Sequence, residues 1–182
     1  MAFSFKTLNI PDLVLIESNV FPDDRGFFQE TYRASIFKKQ GLPEFTQDNH
    51  SYSHQGVLRG LHYQSLPVGQ GKLVSVITGA VYDVAVDLRS DSATFGQWVG
   101  VELSANNHRL FYVPAGFAHG FVALADDTHF FYKCTVEYSP DHDRGLRWND
   151  PTLAIDWPIK DPLVSIKDQA LPNFNPADFR HD

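Results

Sequence analysis

The chain has 182 residues, a length that one hydrophobic core serves, and its 43% hydrophobic and 14% aromatic content with only 20% charged residues excludes a disordered polymer. A net charge of −7 offers no general attraction to nucleic acid or to an anionic membrane, so neither is expected as a partner. The single cysteine, Cys134, cannot form an intrachain disulfide and reads as a small buried hydrophobe in a reducing compartment.

The chain opens on MAFSFKTLNIPDL, which lacks the basic start and unbroken apolar run of a secretory signal, and no later stretch is as long as a membrane span. A cytoplasmic location and one domain over 1–182 are therefore expected. Short strand-like runs follow at LVLIE (13–17) and FFQETY (27–32), and then one short helix is predicted from Ala34 to Gln40, stopped by Gly41 and Pro43. The segment FTQDNHSYSHQGVLRGLHYQ (45–64) is the densest cluster of unusual polar residues. On a strand, Gln47 and Asn49 project to the same side. Strict alternation sends Arg59 and His62 to opposite faces, so if both reach one pocket the strand must bulge, with Gly60 the place for it.

KLVSVI (72–77) and VYDVAVDL (81–88) continue the pattern, followed by QWVGVEL (97–103), LFYV (110–113) and HFFYKCTVEY (129–138). In the second of these runs Tyr82, Val84, Val86 and Leu88 share one face, and Val81, Asp83, Ala85 and Asp87 share the other. The preferred expectation for the two aspartates is a solvated outer face; the alternative is a polar cavity inside a barrel. After Trp148 the chain turns proline-rich, which predicts an irregular tail wrapped on the strands. So many closely spaced strands without helix-period segments between them predict an all-β sandwich or barrel.

Pro114, Gly116 and His119 sit in LFYVPAGFAHGF with a spacing that resembles the second motif of the cupin superfamily, where a hairpin turn projects a histidine into the barrel. A metal-binding cupin also needs two histidines one residue apart and a carboxylate, but GLHYQ (60–64) offers one histidine, and the ammonium of Lys72 would repel a cation. No metal and no cofactor are expected, with a site built from His62 and His119 as the metal-dependent rival. The parts suit abstraction of a proton next to a carbonyl: His62 as the base and Lys72 as the donor to the enolate oxygen. Inversion also needs an acid on the opposite face. Tyr132 could serve, although by itself it reads first as an ordinary strand aromatic.

Taken in order, FPDDRGFFQE (21–30), FTQDNHSYSHQGVLRGLHYQ (45–64), GQGKLVSVITGAVYDVAVDLR (69–89), FYVPAGFAHGF (111–121), FYKCT (131–135), RGLRWNDPTLAIDWP (144–158) and SIKD (165–168) resemble the dTDP-4-dehydrorhamnose 3,5-epimerase family. The resemblance implies a cupin-type jelly-roll β-barrel with short peripheral helices and an irregular C-terminal tail. It implies His62 as base, Asp168 as its partner carboxylate, Tyr132 as acid and Lys72 as enolate stabiliser. Substrate contacts are implied for Arg25, Glu30, Gln47, Asn49, Arg59, His119, Asp143 and Lys167, with Tyr138 stacking on the thymine. Asp143 stands where the family commonly has glutamate, so its carboxylate is one methylene shorter. The implied substrate is dTDP-4-dehydro-6-deoxy-D-glucose, inverted at C3 and C5 without a cofactor. The implied assembly is a homodimer with an N-terminal strand exchanged into the neighbour's sheet. The rivals are a single-carbon deoxysugar epimerase, a metal-dependent cupin enzyme and a barrel that only binds a sugar nucleotide.

Overall fold

A computed structural model describes residues 3–179. Fourteen strands and two short helices occur among them. The N-terminal part holds β1 (Phe3–Thr7), β2 (Val14–Ser18), β3 (Val20–Asp23), β4 (Gly26–Gln29) and α1 (Ala34–Lys39). The polar cluster contributes β5 (Gln47–Ser53) and β6 (Val57–Gln64). After it come β7 (Lys72–Thr78), β8 (Ala80–Asp87), β9 (Trp98–Ser104), β10 (Arg109–Val113), β11 (Phe117–Ala123) and β12 (Thr128–Cys134). The C-terminal part is left with β13 (Asp143–Gly145), β14 (Leu163–Val164) and α2 (Ile166–Gln169).

One sheet runs β1-β2-β10-β7-β12-β5, and the other runs β13-β6-β11-β8-β9 with β14 added on β6. All these pairings are antiparallel except β14 on β6. The two sheets close into the expected cupin-type jelly roll. Alternation explains why: each central strand has one face for the barrel interior and one for an outer layer. Val74, Val76, Val81, Ala85, Phe111 and Phe130 pack in the interior. Leu58, Leu61, Val84, Val86, Ala118 and Val122 face outward and are covered by Leu153, Trp157 and Phe174 of the C-terminal tail. On the other sheet, Leu73, Leu110 and Tyr112 are covered by Phe37 of α1.

The sequence expectations differ from this fold in four places. The Asp83 and Asp87 face is not a solvated outer face: both residues are 0% exposed and share the interior side with Val81 and Ala85. Asp87 survives burial by accepting hydrogen bonds from Arg89, Ser92 and Thr94, the buried charge thus being fully paired. Two predicted strands are shorter. FFQETY ends at Gln29, after which Glu30 pairs with Arg33 ahead of α1. HFFYKCTVEY ends at Cys134, where Thr135 bonds across to Gly71 instead of continuing a ladder. The tail is irregular as expected, yet Leu163 and Val164 pair in parallel with Val57 and Leu58. Within the chain, β1 pairs with β2. The β3–β4 hairpin pairs with neither sheet and leaves Phe21, Phe27 and Phe28 exposed.

Candidate active site

The site begins with a bulge in β6. Opposite β11, His62 pairs with His119 but Arg59 pairs with Phe121, so three residue steps on one strand match two on the other. The extra residue lets Arg59 and His62 share the interior side while Leu58 and Leu61 stay in the outer layer. Gly60 carries it with φ +121, where a Cβ would stand 2.6 Å from Gly120 Cα and 2.8 Å from the His119 carbonyl oxygen. Only glycine fits both the conformation and the space.

The bulge also frees the Gly60 N–H, which donates to Asp168 Oδ2 at 3.2 Å. Asp168 arrives from far along the chain. The β14–β6 pairing docks the tail beside the bulge, Val164 anchors it in the outer layer, and the Ser165 hydroxyl accepts the Asp168 N–H at the start of α2. Asp168 Oδ1 then lies 2.8 Å from His62 Nε2. Burial works to raise the Asp168 carboxyl, but the His62 hydrogen bond and charge, with Gly60 and Ser165, outweigh it and hold it below the usual range. Asp168 is therefore a carboxylate that fixes the proton on Nε2 and leaves Nδ1 as the basic nitrogen of His62.

A cavity of ≈ 600 Å³ opens in front of this pair, and Lys72 and Tyr132 line it together with His62. His62 belongs to one sheet, while Lys72 on β7 and Tyr132 on β12 belong to the other, so base and phenol stand on opposite walls. Burial raises the Tyr132 hydroxyl above its ordinary value, with the neighbouring Cys134 adding to the rise, which keeps it protonated at neutral pH. Burial lowers Lys72, opposed by Cys134, Asp83 and Asp143. Lys72 Nζ donates to the His62 carbonyl oxygen at 3.5 Å. Arg59, His119 and Lys167 add to the polar lining. The Arg59 guanidinium is anchored by Ser53 Oγ and the Tyr52 carbonyl oxygen, a planar donor group suited to phosphate.

A second chamber of ≈ 340 Å³ shares His62, Lys72 and Tyr132 and extends past Gln47, Asn49, Tyr138 and Asp143. Asp143, despite its shorter side chain, accepts hydrogen bonds from Lys167 Nζ at 2.8 Å and from the Tyr138 hydroxyl at 3.1 Å. Tyr138 is itself held by its N–H donating to Gln47 Oε1. Tyr138 is 53% exposed, which leaves room beside it for a planar ligand. Cys134 is buried as expected and receives the Asn49 amide at its sulfur.

Two sequence-predicted residues do not reach this cavity. Arg25 pairs with Asp23 in the β3–β4 hairpin, and Glu30 pairs with Arg33. Conversely, Asp83 lies buried behind the cavity wall, bonded to His119, although the sequence favoured a solvated face for it. The usable signal was the company of Val81 and Ala85 on the same side of β8. Among the described residues, no group of three or more His, Cys, Asp or Glu could hold a metal ion, and no helix is long and apolar enough to cross a membrane.

The chain is similar to known proteins. A family model described as dTDP-4-dehydrorhamnose 3,5-epimerase matches residues 7–176. A Pseudomonas aeruginosa protein of that name is 56% identical, covering 94% of this chain and 96% of its own. A Bacillus anthracis dTDP-4-dehydrorhamnose 3,5-epimerase structure with TDP and PPi bound superimposes with TM-score 0.92 at 50% identity, covering 95% of this chain and 100% of its own. A Legionella pneumophila dTDP-6-deoxy-D-glucose-3,5-epimerase in complex with dTDP-4-keto-L-rhamnose gives TM-score 0.91 at 48% identity, covering 94% and 92%.

Proposed function

The chain belongs to the dTDP-4-dehydrorhamnose 3,5-epimerase family, and from that premise we propose that it converts dTDP-4-dehydro-6-deoxy-D-glucose to dTDP-4-dehydro-L-rhamnose without a cofactor. The observation that carries the reading is the placement of His62 and Tyr132 on opposite walls of one cavity with Lys72 lining it. A hydrogen next to the C4 ketone is acidic only if the resulting enolate is stabilised. His62 Nδ1 takes the proton while Lys72 donates to the developing oxyanion. Tyr132 returns a proton from the other side, which inverts the carbon; repeated at C5 and C3, the cycle gives the product. A positioned base is worth about 10²- to 10⁴-fold and an oxyanion donor about 3–4 kcal/mol.

Asp168 acts through His62 by holding its tautomer and orientation. Arg59 meets the diphosphate and His119 the sugar. Tyr138 stacks on the thymine, with Gln47, Asn49, Asp143 and Lys167 around the second chamber. Arg25 and Glu30 enter only if a second copy supplies them, so we propose a homodimer in which the β3–β4 hairpin, with its exposed Phe21, Phe27 and Phe28, reaches the other subunit. The reading also takes 1–182 as one domain and places the protein in the cytoplasm.

The test is NMR of the sugar nucleotide incubated with protein in D₂O. Deuterium is expected at both C3 and C5, greatly slowed in His62→Ala. Wild-type protein that leaves either carbon unexchanged overturns the reading, and exchange at one carbon alone identifies a single-carbon epimerase.

A further inference from the structure

Asp83 is a fully enclosed carboxylate that none of the roles above uses. It sits on β8 with Val81 and Ala85 beside it on the interior side. Both of its oxygens accept from one atom, His119 Nε2, at 2.9 and 3.0 Å. A single N–H shared between two oxygens is the pattern of a carboxylate accepting from an imidazole that carries its proton on Nε2. His119 lines the cavity, and its Nδ1 has no hydrogen-bond partner among the described residues, so that nitrogen is the one left for a ligand.

An isolated charge in such surroundings costs stability, so its retention calls for a compensating role. His119 is bonded to Asp83, and Lys72 lines the cavity from the opposite sheet. We infer that Asp83 is a positioning residue for the epimerase reaction: it fixes the proton of His119 on Nε2 and so holds His119 with Nδ1 toward the sugar. The inference rests on the function proposed above. Burial raises the Asp83 carboxyl, with His119 and Lys72 opposing, and Asp83 in turn is one of the groups that oppose the lowering of Lys72.

Asp83→Asn keeps the shape and one oxygen for the His119 N–H but removes the charge. Loss of that charge lets the His119 ring take the Nδ1–H tautomer and is expected to lower kcat/KM for the sugar nucleotide by roughly tenfold or more. A merely structural Asp83 would lower the melting temperature and the active fraction without changing the His119 tautomer. Wild-type kcat/KM together with the wild-type His119 tautomer in Asp83→Asn overturns the inference. Nitrogen-15 NMR of His119 in the wild-type protein is the second measurement, needing no variant: the neutral ring protonated on Nδ1 overturns it as well. Wild-type protein inactive on the sugar nucleotide would instead defeat the functional reading, so the two failures are separable.

Discussion

Asp168 Oδ1 stands 2.8 Å from His62 Nε2 although 106 positions separate the two residues. The contact depends on a two-residue parallel strand, Leu163–Val164, that docks the tail against the bulged strand carrying the histidine. The carboxylate does no proton transfer itself; it decides which imidazole nitrogen is basic.

Asp168→Asn keeps the hydrogen-bonding shape but removes the charge and permits the wrong tautomer. A fall in kcat of about 10²- to 10⁴-fold is expected, with KM for the sugar nucleotide changed much less. Steady-state kinetics checks this, and a variant within threefold of wild type would contradict the assigned pair.

Tyr132→Phe removes the acid from the far wall and leaves the base in place. Protons should still exchange with solvent at the carbons next to the ketone, returned by His62 to the face they left, while net inversion falls by at least about 10²-fold. Measuring deuterium uptake and stereochemistry in the same sample separates the two. If exchange and inversion fall together in equal measure, the phenol has another role.

Asp87 governs acid stability. Burial alone would raise its carboxyl, but the hydrogen bonds from Arg89, Ser92 and Thr94 outweigh that and bring it down to about 2 from the ordinary 3.8. A depressed folded value stabilises the protein above the unfolded value and loses that contribution as pH falls through the folded one, here from near pH 4 to near pH 2. Asp87→Asn should cost about 2 kcal/mol at pH 7, and the gap from wild type should close across that window. Urea unfolding at several pH values reads both.

Gly60 and Gly41 make a matched pair. Both have positive φ, yet a Cβ at Gly41 meets nothing within 4 Å, whereas one at Gly60 runs into Gly120 and the His119 carbonyl. Gly41→Ala should cost about 1 kcal/mol and leave activity alone. Gly60→Ala should cost roughly 2–5 kcal/mol, and any protein that still folds should lose activity because Arg59 and His62 no longer share a side. Equal stability losses at the two positions would argue against the close packing of β6 on β11.

Local pattern made much of this protein legible before any fold was known. The alternation in VYDVAVDL, the helix from Ala34 stopped at Gly41, the prolines after Trp148 and the strand conflict between Arg59 and His62 each follow from interactions spanning a few residues. The residues proposed as base, acid and oxyanion donor were also nameable there, because their motifs are local stretches that resemble one family. The side of β8 facing water was different. Period-two alternation separates Asp83 and Asp87 from Tyr82 and Val84, but both faces of that strand are covered, one by the opposite sheet and one by the C-terminal tail. A strand buried on both sides carries no label for which side is the barrel. That choice, the meeting of His62 with Asp168, and the distance of Arg25 and Glu30 from the cavity were settled by tertiary pairing, since each depends on which distant segments come to lie side by side.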